Sequence, residues 1–169
     1  MGSNPETAND RLIIELWADV LCPWCYLGEQ RLHSAIAASP HADRIDVVPR
    51  TFQLDPDAPP VVTTTLSYLA KKFGVTEAQA REMEEGMADR ARADGLGYTP
   101  DRPAGNTLDM LRVVHLAREH HLGWEYLRAL QVALFEGDPD AFEHATLRRV
   151  AVEVGLPAAE VEAVLASDR

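Results

Sequence analysis

Cys22-Pro23-Trp24-Cys25 holds the only two cysteines of this 169-residue chain. Thiols three positions apart lie on one face of a helical turn. Their sulfurs can therefore close a small disulfide ring without a large backbone movement. The apolar run Leu12-Ile13-Ile14-Glu15-Leu16-Trp17 stands just before them. A strand that feeds a C-x-x-C at the mouth of a helix is how a thiol–disulfide exchange site is built. The first thiol then sits among helix-start N–H groups that have no intrahelical partner, and their dipoles favour an anion. Cys22 is thus expected to be the acidic nucleophile. Cys25, one turn further in and more buried, is expected to be the resolving thiol. Pro23 fits the first helical turn. Trp24, partly exposed, offers a flat apolar surface beside the reactive sulfur.

Two other uses of the pair are disfavoured. A structural zinc site needs about four ligands. The sequence has no second cysteine pair and no closely spaced histidine pair near Cys25. A purely structural disulfide between near neighbours closes a tiny loop and stabilises little. Further candidates are weaker. Asp19 lies three residues before Cys22, where it can hydrogen-bond at the site, accept a proton or cap the strand-to-helix turn. His115, His120 and His121 share one helix at offsets that miss the i, i+4 spacing of a helical metal pair. They read as surface or partly buried histidines. Tyr26 is expected to pack behind the site, and Phe52 and Gln53 to pack and to fix a loop.

The elements that must position these groups can be read along the chain. Residues 12–18 form a buried strand, and residues from about 22 to 39 a helix on the spacing of Leu27, Leu32, Ala35 and Ile36. Residues 45–52 are a second strand, at an edge because Pro49 cannot donate to a ladder. This βαβ unit implies parallel strands and a right-handed crossover. Residues 55–60 are a proline-rich loop. Everything afterwards reads as helical. Thr64–Phe73 is one helix ended by Gly74, and a second starts on the capping box Thr76-Glu77-Ala78-Gln79 and runs to about Asp94. A loop over 95–105 precedes a helix that Asn106 caps, running to about His121. Leu108, Leu111, Val114 (or His115) and Leu116 form its inward stripe. Helices follow near 124–136, 140–154 and 158–167. Met83 and Met87, at helical spacing, read as core.

With 46% hydrophobic residues the chain can build a true core, and its length suits one domain or a domain with an insertion. The formal charge of -11 argues against nucleic acid, whose footprint is a basic patch, and against anionic membranes. The residues up to Asp10 are polar, with no apolar segment of a secretory signal, although Met1-Gly2-Ser3 resembles a tag remnant. No apolar run is long enough to span a bilayer. A cytoplasmic location is expected, where C-x-x-C pairs are mostly catalytic or redox-sensing.

The stretch from Ala18 to Gly28, with Phe52-Gln53-Leu54-Asp55-Pro56, Asn106-Thr107-Leu108-Asp109 and His115-Leu116-Ala117, resembles the DsbA-like thioredoxin-fold family, in its FrnE-like branch. The resemblance extends over nearly all the chain from Arg11. It implies an α/β fold: a thioredoxin-like βαβ half with the C-x-x-C over residues 11–60, then an all-helical insertion domain over 61–169. The family's C-terminal ββα half, with a cis-proline facing the C-x-x-C, would be absent from this chain. The strand at 12–18 would then keep an unpaired apolar edge. A fragment of a longer protein, self-association or a complementing chain would follow. The Asn106 position of the family lies near the active-site groove. Pro23, Trp24, Asp19 and Asn106 are accordingly the candidate substrate-binding residues. Where relatives often have a histidine, this chain has Leu111, so that histidine's role does not carry over.

The leading function is therefore a DsbA-like thiol–disulfide oxidoreductase acting on protein thiols or disulfides through Cys22 and Cys25. No cofactor beyond the redox-active disulfide and no metal is expected; glutathione is a candidate co-substrate. Two alternatives remain. One is a glutathione-dependent isomerase on the same scaffold, the 2-hydroxychromene-2-carboxylate isomerase type, whose members typically carry serine at the position of Cys22. The other is a non-catalytic partner-binding module.

Overall fold

The computed structural model describes residues 11–58 and 62–167. The polar N-terminal stretch through Asp10, the Pro59-Pro60 pair of the proline-rich loop and the final residue Arg169 lie outside the described residues. Strand β1, Leu12–Ala18, passes through helix α1, Pro23–Ala37, and a short 3-10 turn into strand β2, Ile45–Thr51. The two strands are parallel, with Leu12 opposite Ile45 and Ala18 opposite Thr51. Both are rich in β-branched and aromatic residues, which fit a pleated surface. Charged pairs join the strands across the sheet, Arg50 with Glu15 and Arg11 with Asp46 at 2.5 Å. Among the described residues β1 has no other strand partner, and Leu12, Ile13 and Trp17 are exposed.

Past the loop after β2 the chain is almost entirely helical, as expected. Helix α2, Thr65–Phe73, is capped by Thr64 and stopped at Gly74. Helix α3, Glu77–Ala93, starts on the reciprocal Thr76/Gln79 capping box. One feature departs from an all-helical reading. Two-residue strands β3, Thr63–Thr64, and β4, Pro103–Ala104, pair antiparallel. The proline-bearing loop lies extended there. The Thr65 N–H and hydroxyl both donate to the Arg102 carbonyl at 2.8 Å.

Helices α4, Leu108–Glu119, and α5, Gly123–Glu136, form a hairpin, followed by α6, His144–Glu153, and α7, Ala158–Leu165. A turn held by the Ala141 N–H on the Asp138 carbonyl occupies residues 138–143, so α6 begins later than its periodicity suggested. Gly123 lets α5 approach the sheet: a Cβ there would lie 2.5 Å from Arg118 Cγ and 3.1 Å from Pro49.

One apolar cluster joins the βαβ unit to the later helices. Ala18 and Val20 pack with Met110, Val113 and Val114 of α4, Tyr126, Leu130 and Leu134 of α5, and Leu147, Leu156 and Val161 beyond; Leu16, Leu21 and Cys25 lean on it. A smaller cluster joins Tyr26 and Leu27 of α1 to Met87 and Ala91 of α3 and Phe135 of α5. Phe52, Met83 and Leu108, all expected to pack inside, are exposed, and the strand expected to be buried leaves Leu12, Ile13 and Trp17 uncovered. Met83 is 48% exposed and Leu108 faces solvent. On α3 the buried stripe is Ala80, Glu84, Met87 and Ala91, and Met83 stands off it. Leu108 is the first residue of α4, before the stripe of Met110, Leu111, Val113 and Val114 begins.

Candidate active site

The sheet delivers the cysteines to a helix start. β1 ends at Ala18, and a turn closed by the Cys22 N–H on the Asp19 carbonyl, 3.3 Å, leads into α1. Cys22 is the N-cap of α1, in extended backbone, and Pro23 opens the first turn. The side chain at an N-cap accepts the orphan N–H groups of that turn. Here the acceptor is sulfur: the Cys25 N–H points at Cys22 Sγ, 3.3 Å away.

This geometry acidifies Cys22. Its thiol is pulled down from 9.0 to about 7, first by the hydrogen bond from the Cys25 thiol, then, against the opposing effect of burial, by the N–H groups of Cys25 and Trp24; the Asp19 charge works the other way. The same thiol–thiol hydrogen bond, with burial and the Cys22 charge, pushes the Cys25 thiol far up. One sulfur is poised as a thiolate and its neighbour holds a proton toward it. The expectation that Cys25 is the more buried of the two is not met. Both are half-buried.

Trp24 is 59% exposed, with the Arg90 guanidinium of α3 lying 5.6 Å from its ring centroid. Tyr26 stacks on Phe135 of α5 at 4.5 Å and donates to the Gly97 carbonyl at 3.3 Å, which anchors α1 from behind. Phe135 lies under the Arg102 guanidinium at 4.3 Å. Arg102 in turn makes a buried pair with Glu84 at 2.6 Å.

Asp19 and Asn106 converge on one loop. The Asp19 carboxylate is 2% exposed and accepts the backbone N–H groups of Leu54 at 2.8 Å and Leu21 at 3.4 Å. A carboxylate so enclosed clamps backbone and offers no surface to a docked substrate. Asn106 Oδ1 accepts the Gln53 side-chain N–H at 2.6 Å and the Leu108 N–H at 2.9 Å. Its amide donates to the carbonyls of Ala58 at 3.1 Å and Pro56 at 3.3 Å. Thr107 occupies the N-cap position of α4 and its side chain makes no cap hydrogen bond. Asn106, one residue earlier, does part of that work and ties the 53–58 loop to α4.

The helical histidines stand apart from the thiols: His120 pairs with Glu160 at 2.9 Å and His115 is exposed. Among the described residues no group of His, Cys, Asp and Glu is placed to hold a metal ion. The sequence reading passed over Glu29, an acid buried on α1 that accepts an N–H from Gln131 of α5 at 3.0 Å. The signal was present: a carboxylate four residues after Cys25 falls on the same side of the helix.

The sequence pattern of the DSBA-like thioredoxin domain matches residues 13–169. The crystal structure of a probable DsbA oxidoreductase from Streptomyces coelicolor superposes with a TM-score of 0.84 at 38% identity, over 93% of this chain and 68% of that one. The crystal structure of a candidate protein disulfide isomerase from Nitrosomonas europaea superposes with a TM-score of 0.63 at 17% identity, over 94% of this chain and 72% of that one, a likeness of fold. No curated protein matches the chain.

Proposed function

We propose that this chain, which belongs to the DSBA-like thioredoxin domain family, exchanges disulfides with protein substrates through Cys22 and Cys25. The observation that carries the proposal is the polarised pair at the start of α1. Cys22 Sγ accepts an N–H and a thiol proton, which holds it near pKa 7, while Cys25 stays protonated. A thiolate of that acidity is well populated at neutral pH and keeps most of its nucleophilicity.

In the reductive direction Cys22 attacks a substrate sulfur and forms a mixed disulfide. Cys25 then attacks Cys22 Sγ, and the substrate leaves as a thiol. In the oxidative direction a substrate thiolate opens the Cys22–Cys25 disulfide. Trp24 and the Arg90 side chain beside it form the exposed rim against which a polypeptide segment would lie. Asp19 and Asn106 serve by fixing the loop behind the pair.

The test is reduction of insulin disulfides in the presence of a dithiol. Wild type accelerates the reaction, Cys22→Ser abolishes it, and Cys25→Ser accumulates a covalent complex with the substrate. Undiminished activity in Cys22→Ser would overturn the proposal.

A further inference from the structure

A cation without an acidic partner stands beside the thiol pair. Arg90 is exposed on α3, and its guanidinium lies 5.6 Å from the centroid of the Trp24 ring. That is within the range over which a cation is drawn to an aromatic face. Trp24 separates the two cysteines in sequence, so a helix outside the βαβ unit sets a positive charge on the residue next to Cys22. Arg90 Nη1 also donates to the Gly86 carbonyl, one turn back, at 2.8 Å. The side chain is thus held at two places, by the ring and by its own helix.

The acids of α3 have other partners. Asp89 pairs with Arg92 at 2.7 Å, and the buried Glu84 with Arg102 at 2.6 Å. Just past the helix, Asp94 pairs with Arg31 at 2.8 Å. Among the described residues no carboxylate pairs with Arg90. The chain carries a formal charge of -11, yet this cation near the nucleophile is left uncompensated. A guanidinium has five N–H donors in a planar fork. The ring takes its face, and Gly86 takes a bond from Nη1. The edge formed by Nε and Nη2 keeps two parallel donors, the pattern that grips a carboxylate at two points. Met83, 48% exposed, stands two turns earlier on the same side of α3, with Gly86 between them at helical spacing. A flexible thioether is an adaptable apolar contact. Trp24 and Met83 thus offer apolar surface on either side of the charge.

We propose that Arg90 selects the substrate: it receives an aspartate or glutamate side chain standing next to the reacting cysteine of the incoming polypeptide. The assignment rests on the exchange reaction proposed for Cys22 and Cys25. The substrate class is then cysteine-containing segments with an acidic residue beside the cysteine. The ion pair fixes the segment on the Trp24 rim and places its sulfur near Cys22. It also offsets the repulsion that an acidic segment meets from the Cys22 thiolate and from a chain of net negative charge.

The experiment uses the full chain carrying Cys25→Ser, in which attack by Cys22 stops at the mixed disulfide. The probes are short blocked peptide disulfides that differ only in the residue following cysteine, either glutamate or lysine. Attack forms the Cys22–peptide bond and releases the second peptide as a thiol. Rapid quenching and intact mass give the rate. The glutamate-to-lysine rate ratio, taken within one protein, cancels any change in the acidity of Cys22. The parent reacts faster with the glutamate peptide, and an ionic strength of about 1 M removes that preference. Arg90→Gln lowers the ratio about 5-fold, the upper end for an exposed ion pair, and Arg90→Glu inverts the preference. Arg81→Gln removes the same charge from another exposed position on α3 and leaves the ratio unchanged. A parent with no preference for the glutamate peptide, or an Arg90→Gln variant that keeps the parent's ratio, overturns the role of Arg90 alone. A ratio lowered equally by Arg81→Gln assigns the preference to the overall field of the chain and overturns that role as well. A parent that forms no mixed disulfide with either peptide overturns the exchange reaction and the role together.

Discussion

Asp19 Oδ2 accepts the backbone N–H of Leu54 at 2.8 Å, a bond that spans 35 residues and joins the turn before Cys22 to the loop after β2. Asn106 holds the same loop from the other side, through Gln53, Pro56 and Ala58. The start of α1 is thus backed by a loop fixed at two points.

Loss of either clamp should loosen the same segment. Asp19→Ala and Asn106→Ala are each expected to cost about 1–3 kcal/mol in urea unfolding, since each leaves backbone or amide groups unpaired. Because they share a loop, the double variant should lose less than the sum of the singles. Full additivity would show that the two clamps are independent. Asp19→Asn has a second expected effect. The Asp19 charge raises the Cys22 pKa, so its removal should make Cys22 more acidic in a thiolate absorbance titration.

The Glu84–Arg102 pair is buried on both sides, with Tyr98 donating to the same carboxylate oxygen at 2.6 Å. Glu84→Leu leaves a guanidinium inside the protein without its counter-charge and is expected to cost about 3–5 kcal/mol. The exposed Arg92–Asp89 pair is the control. Asp89→Ala should change stability by under about 1 kcal/mol. Chemical denaturation of the two variants makes the comparison.

Glu29 gives stability a pH dependence of defined sign. In the folded chain it holds its proton to about pH 7, against an ordinary value of 4.5 when unfolded. The folded state therefore binds more protons between those values, and this group's contribution falls as pH rises through that window. Glu29→Gln removes the effect. Above pH 7 the variant should be more stable than wild type by up to about 3 kcal/mol, and below pH 4.5 the two should converge. Unfolding curves across this range check it. A wild type that gains on the variant with rising pH would contradict the buried-acid account.

Local signals revealed much of this fold. The run at residues 12–18, the C-x-x-C behind it and Pro49 in the second strand defined the βαβ unit. The Thr76/Gln79 box and Gly74 marked helix boundaries to within a residue. What local pattern could not reveal was which polar groups fold inward. The place of Asp19 before Cys22 suggests a cap of the strand-to-helix turn or a substrate contact. The partner at Leu54 is 35 residues away, and no periodicity encodes that. Glu29 and Glu84 are charged residues on helices, and charge on a helix normally means solvent. Only their partners on other elements, Gln131 and Arg102, explain why they are buried. The β3–β4 ladder, two residues long, is set by how the 95–105 loop crosses the start of α2 and not by strand propensity.

Exchange at this site turns on the ionisation of the Cys22 sulfur. The rate at which iodoacetamide alkylates Cys22 in the reduced protein, followed by peptide mass analysis as pH is varied, measures it directly. A midpoint about pH 7 is expected, with Cys25 unmodified through the same range. A Cys22 midpoint at the ordinary thiol value of 9.0, or alkylation of Cys25 ahead of Cys22, would contradict it.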